Sequence, residues 1–111
     1  MTQLEVSEQA KNTLASTSLA FWQATDPTVR QQLMDMEISL ESLVTKLNQS
    51  DIKTRTDDFA SATHIMNGKI LPGVKALDQS IEKIINVDND IKSAMMDLYK
   101  LSSMAGFFTS L

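Results

Sequence analysis

PTVRQQLMDMEISLESLVTKL, residues 27–47, sets Val29, Leu33, Met36, Leu40, Leu43 and Leu47 at successive spacings of 4, 3, 4, 3 and 4. Residues three and four apart share one face of an α-helix, whereas a half-buried strand would alternate every second residue. Nearly three heptads of this strict a/d pattern predict a helix that packs against others at crossing angles of roughly 20°. The start is marked as well. Asp26 can cap the helix, and Pro27 suits its first position, where a missing N–H costs nothing.

Upstream, Val6, Ala10, Leu14, Thr17, Phe21 and Ala24 line one face of a helix over residues 3–24, with Thr13 and Ala20 beside them. Small residues let a neighbouring helix come close. The Ser and Thr content gives this segment weak intrinsic helicity, so it depends on tertiary packing. Leu4, Leu19 and Trp22 fall on its opposite face.

Downstream, the register breaks at Asn48–Asp51. The stripe Ile52, Phe59, Ala62 and Met66 is out of phase with Leu47. A short break there, followed by a helix over about 51–67, is the expected arrangement. NGKILPGV, residues 67–74, reads as the strongest turn in the chain, with Gly68 as a left-handed C-terminal cap and Pro72 and Gly73 marking the restart. Beyond it Val74, Leu77, Ile81, Ile84, Ile91, Met95 and Leu98 hold one heptad phase, with Asp88 at an apolar position. Asp88 and Lys92 are a favourable i, i+4 pair. One long helix over 73–105 follows, loosened near 88–90 if anywhere.

The expected fold is therefore all-α: a single domain over 1–111 forming an antiparallel helical bundle with coiled-coil-like packing. It has three long helical segments, or four if the helix at 27–67 is broken near 48–51. The helices run over about 3–24, 27–48, 51–67 and 73–105. Composition agrees, with 42% apolar and 5% aromatic residues, three glycines and two prolines.

Charge and composition exclude several functions. The 14 acidic and 10 basic residues give a net charge of −4 with no basic block, which argues against nucleic acid and against an anionic membrane surface. Without cysteine there is no disulfide framework, thiolate nucleophile or Cys-based zinc site. The opening MTQLEVSEQAK lacks a signal peptide's basic start and apolar stretch. The longest uncharged run, residues 12–25, is too short and too polar to span a bilayer. A cytoplasmic protein is expected, with signal-less secretion the alternative.

Catalytic chemistry finds no support. His64 has Ala60, Ser61, Asn67 and Gly68 at i±3 and i±4, so no metal partner shares its face. Asn86, Asp88, Asp90 and Asp97 match four positions of a calcium-binding loop, but Ile91 replaces the glycine of the sharp turn and Asp97 the long bidentate glutamate. Asp57 and Asp58 are adjacent and diverge by about 100° on a helix. No catalytic, cofactor or metal residue is assigned, and the expectation is a non-enzyme.

What remains is apolar side chains in excess of one core. In the last helix Ile91, Met95, Leu98 and Ala105 form the core stripe with Leu101 and Phe108 on its flank, while Met96, Met104 and Phe107 lie on the other side. Met96, Met104, Phe107, Phe108 and Leu111, together with Leu4, Leu19 and Trp22, are the candidate partner interface; the competing arrangement folds FFTSL back over the bundle end after Gly106.

In format the chain is similar to small helical proteins of bacterial secretion machines: about 100 residues, acidic, Cys-free, two long helices about a central turn. The WXG-type proteins carry Trp-x-Gly in that turn, where this chain has Met66-Asn67-Gly68 and its tryptophan at position 22, so no family motif is present. The expected function is a non-enzymatic helical interaction module. It self-associates or docks a protein partner through its C-terminal Met/Phe surface, as a small subunit of a bacterial assembly or secretion machine would. The alternative is a small acidic regulator or inhibitor, of immunity, antitoxin or anti-defence type, that masks a basic site on a target protein.

Overall fold

A computed structural model describes residues 1–48 and 55–109. Four helices pack side by side in a rod of 48 × 21 × 20 Å, an all-α bundle. Helix α1 spans Gln3–Gln23 and α2 spans Pro27–Leu47. Next come α3 (Arg55–Ile65), a π turn (Met66–Ile70) and α4 (Leu71–Ile81), then α5 (Asn89–Ser103) and a 3₁₀ helix (Ala105–Thr109).

The helices run up and down. Gln3 donates to the carbonyl of Leu47 at 2.8 Å, joining the start of α1 to the end of α2. Lys46 pairs with Asp58 at 3.5 Å, joining the end of α2 to the start of α3. The Tyr99 hydroxyl donates to Asp78, tying α5 to α4. The ring closes with α1 against α5, where Ser16 donates to the Asp97 carboxylate at 2.8 Å. Each helix thus touches the two beside it.

The ends are capped as the sequence predicts at Asp26, whose carboxylate accepts from the N–H groups of Thr28 and Val29, both at 3.0 Å. All six a/d residues of α2 are buried, none more than 4% exposed. In α1 the buried face is Val6, Ser7, Ala10, Thr13, Thr17 and Ala20, rotated from the expected stripe toward its small-residue side: Thr13, Ala20 and Ser7 move in, and Leu14 and Phe21, expected in the stripe, flank it half-buried. Arg30 fixes the α1–α2 corner: its guanidinium donates to the carbonyls of Phe21 and Ala24 and lies 4.1 Å from the Phe21 ring centroid.

Two expectations fail. Residues 67–74 are not a turn: α3, the π turn and α4 follow without a gap, so 55–81 is one helical rod. Gly68 has no left-handed backbone, and none of the described glycines does. The Leu71 N–H reaches back five residues to the Met66 carbonyl, the wide π pattern. In an ordinary helix Pro72 would clash with the carbonyl of Gly68 and leave it unbonded; the wide turn relieves the clash. Gly73 serves packing, since a Cβ there would lie 2.6 Å from the Met36 methyl of α2.

The second correction concerns the long helix at 73–105, which is broken. Helix α4 ends at Ile81 and α5 begins at Asn89 under an Asp88 cap, its carboxylate accepting from the Asp90 N–H at 2.7 Å. The chain reverses over residues 82–88. The expected break near 48–51 lies mostly outside the described residues; within them, α2 stops at Leu47 with Asn48 as its cap.

Candidate functional site

The last turn of α5 and the 3₁₀ helix decide where the C-terminal apolar residues go. Gly106 lies in the 3₁₀ helix, and Phe108 turns inward to 3% exposure. Phe59, Phe107 and Phe108 form a three-ring cluster with centroids 5.3–5.8 Å apart, closing the bundle end where α3 begins. Aromatic pairs prefer such tilted and edge-on contacts. Met104 and Phe107 are half-buried against the core. Of the C-terminal interface candidates, only Met96 stands clear, 62% exposed; Leu111 lies outside the described residues.

The other candidates behave differently. Leu4, Leu19 and Trp22 are 69%, 58% and 71% exposed. Projected at about 100° per residue, they share the outer face of α1 with Lys11 and Ala15. Glu8 and Lys11 pair at 3.9 Å within this stripe, both in water. Helix α1 is therefore two-sided: a small-residue face is locked into the bundle and a larger apolar face meets solvent. The sequence offered this reading directly, because large apolar residues fell opposite a face already complete. It offered less warning of Ile38 (57% exposed) and Ile85 (96%), both at positions assigned to no stripe.

Trp22 and Ile85 mark the same end of the rod. There the α1–α2 corner and the 82–88 loop meet, with Ala24, Asp26 and Val29 around a small recess that Val87, Asp88 and Ile91 also line. Ile84 and Val87 tuck against the core, leaving Ile85 outside.

A groove of about 460 Å³ lies between α2 and the π turn with α4. Gln32, Asp35, Met36, Ile38, Lys69 and Gly73 line it. The Gln32 Oε1 is buried without a partner. Its charged groups, Asp35 and Lys69, are joined to each other by no ion pair among the described residues, and Ser39, which also lines it, donates its hydroxyl to the backbone carbonyl of Asp35 at 3.1 Å. No group of three or more His, Cys, Asp or Glu residues suited to a metal occurs among the described residues. His64 sits exposed with its ring about 3.7 Å from where a Gly68 Cβ would be. The Asp residues of the calcium-like pattern do structural work: Asp88 caps α5, and Asp97 receives Ser16 with its carboxylate and Gln9 and Thr13 with its carbonyl.

Among the described residues, the environment of Tyr99 shifts its ionisation clearly. The Asp78 hydrogen bond holds the proton on Tyr99, and burial and the charges of Asp78 and Glu82 add to it, so the phenol is pushed up to about 12. That stabilises the protonated donor and makes Tyr99 a fastener between α4 and α5, not an acid for chemistry near neutrality. Among the described residues no helix is long and apolar enough to cross a membrane. Comparison with protein-family models, with curated proteins and with solved structures finds no match.

Proposed function

We propose that this protein is a non-enzymatic helical interaction module that docks another protein through the outer face of α1. The observation that supports this is the exposure of Leu4, Leu19 and Trp22 on a helix whose other face is fully used. Isolated exposed apolar residues are ordinary, but Leu19 and Trp22 stand one turn apart, the kind of surface that marks an interface, with Leu4 on the same stripe about 27 Å away beyond the Glu8–Lys11 pair. Trp22 is the natural anchor, because buried aromatic side chains dominate binding energy. Met96, 62% exposed on α5, is a separate exposed apolar side chain and is adaptable in packing. The net charge of −4 favours a partner with a basic rim and sets a second reading, the acidic regulator, in which charge and not apolar contact dominates.

The test is affinity capture from the native host with the parent protein and with Leu19→Glu/Trp22→Glu. Both positions are exposed, so the pair should leave the fold and its melting temperature within a few degrees of the parent while abolishing capture of any specific partner. Retained capture would remove the α1 surface from consideration. Binding that collapses steeply between about 50 and 200 mM salt, yet survives the double substitution, would favour the acidic regulator.

A further inference from the structure

We infer that the protein exchanges α5 with a second copy of itself, through an open form in which residues 82–88 become helical. The chain reverses over 82–88, seven residues between Ile81 and Asn89. Seven residues are one heptad. The apolar positions of α4 (Val74, Leu77, Ile81) and of α5 (Ile91, Met95, Leu98) therefore share a single phase, with Ile84 continuing it and Asp88 at the vacant position. If the loop winds up, α4 and α5 become one helix whose apolar stripe stays on one side.

The loop, EKIINVD, contains neither Gly nor Pro. Its polar ties to the bent form are turn bonds from Lys83 to the Ser80 carbonyl at 3.3 Å and from Ile84 to the Ile81 carbonyl at 2.9 Å, and the Asp88 cap on α5; its apolar ties are Ile84 and Val87, both only half-buried against the core. Winding replaces them with helical bonds, and Asp88 gains Lys92 one turn on. Helix α5 then lies beyond its own bundle and must find α1 and α4 elsewhere. A second open copy offers both, with the contacts of α5 reproduced between chains and those of Ile84 and Val87 in the bent loop given up, which is the low-cost route to a dimer by exchange of an identical element.

The bundle end agrees. Two rods joined by the straightened segments abut at the end that carries Trp22 and Ile85, the two most exposed of the large apolar side chains. Seven helical residues span about 10 Å, so each bridging helix passes Ile85 through the junction between the rods.

The experiment places spin labels on Lys75→Cys and Lys100→Cys, both exposed, in a chain that has no native cysteine. Protein refolded at high concentration is separated by size, and labelled chains are diluted in excess unlabelled protein so that only the distance within a chain is read. The bent chain holds the labels within about 20 Å, since neighbouring helices lie about 8–10 Å apart. The open chain holds them near 38 Å, 25 residues of helix. The dimer fraction is expected at the long distance. Ile85→Pro, which cannot enter a helix interior, should abolish the dimer. Asn86→Ala/Asp88→Leu removes the cap and fills the vacant heptad position, and should raise the dimer fraction at least roughly fivefold. Far-UV circular dichroism of each variant confirms a folded helical protein. The inference is overturned if the Asn86→Ala/Asp88→Leu protein is folded and wholly monomeric, or if a dimer forms with the short distance inside each chain.

Discussion

Thr17 places a hydroxyl at the centre of the bundle, fully buried and with no hydrogen-bond partner. Its neighbours on the same face fare better: Ser7 donates to Asn48 at 2.7 Å, and Thr13 donates to the Gln9 carbonyl at 2.7 Å. An unpaired buried hydroxyl opposes folding, and valine has the same shape without it. Thr17→Val is expected to stabilise the protein by about 1 kcal/mol, a rise of about 4 °C in melting temperature by circular dichroism. Tyr99 gives a second residue-scale outcome. Its pKa in the folded protein lies near 12, against 10.0 for the free side chain. The folded state therefore keeps its proton where the unfolded state has lost it, so this contribution is intact below pH 10 and drains away between pH 10 and 12. Stability measured across that window should fall less steeply in Tyr99→Phe. Because the chain has one tyrosine, tyrosinate absorbance reports this group alone.

At the scale of the element, α2 was fully legible, because its a/d residues obey the period of an unperturbed helix and nothing interrupts them. The rod at 55–81 was not. Ala62, Met66, Ile70 and Val74 are all buried at successive spacings of four. Each step of four overshoots a helical turn by about 40°, so three in a row would carry an ordinary helix well off the core. The π turn absorbs that excess. Reading Gly68, Pro72 and Gly73 as punctuation hid the pattern, and only Ile70, left out of both stripes, signalled it. The loop at 82–88 was concealed for the converse reason: its length equals the heptad, so the phase survives the reversal. The polar run Asn86–Asp90 and a capping Asp88 were the available signs. Deleting Gly68 converts the buried spacings to 4, 3, 4 and permits a regular helix, but leaves Pro72 inside it. Deletion alone should cost about 3 kcal/mol, and deletion with Pro72→Ala should be at least as stable as the parent in urea unfolding.

For the whole molecule, the surface candidates were half legible. The outer face of α1 followed from periodicity, whereas the fate of FFTSL depended on whether the chain bends after Met104, which local sequence does not determine. Phe108 shows what that bend contributes. It seals the end of the rod against Phe59, so Phe108→Ala should cost about 3–4 kcal/mol, and its cost should fall sharply in a Phe59→Ala background. A melting series over the four proteins measures that coupling. Substituting Trp22 at the other end should leave stability nearly unchanged, which separates the residue that closes the fold from one that faces outward.

The closed ring of neighbours, α1 to α2 to the 55–81 rod to α5 and back to α1, has a topological consequence. The start of α1 and the 3₁₀ helix after α5 lie at the same end of the rod, and no helix crosses the bundle to reach its partner. The chain is therefore a candidate for circular permutation: a flexible linker from Thr109 to Met1, with new ends opened between Ile85 and Asn86, keeps every helix pair in place. In that permutant α1 and α5 become neighbours in sequence, turning the most distant pairing in the chain into a local one. Folding should quicken accordingly, since nearby contacts lower the entropy lost in closing loops.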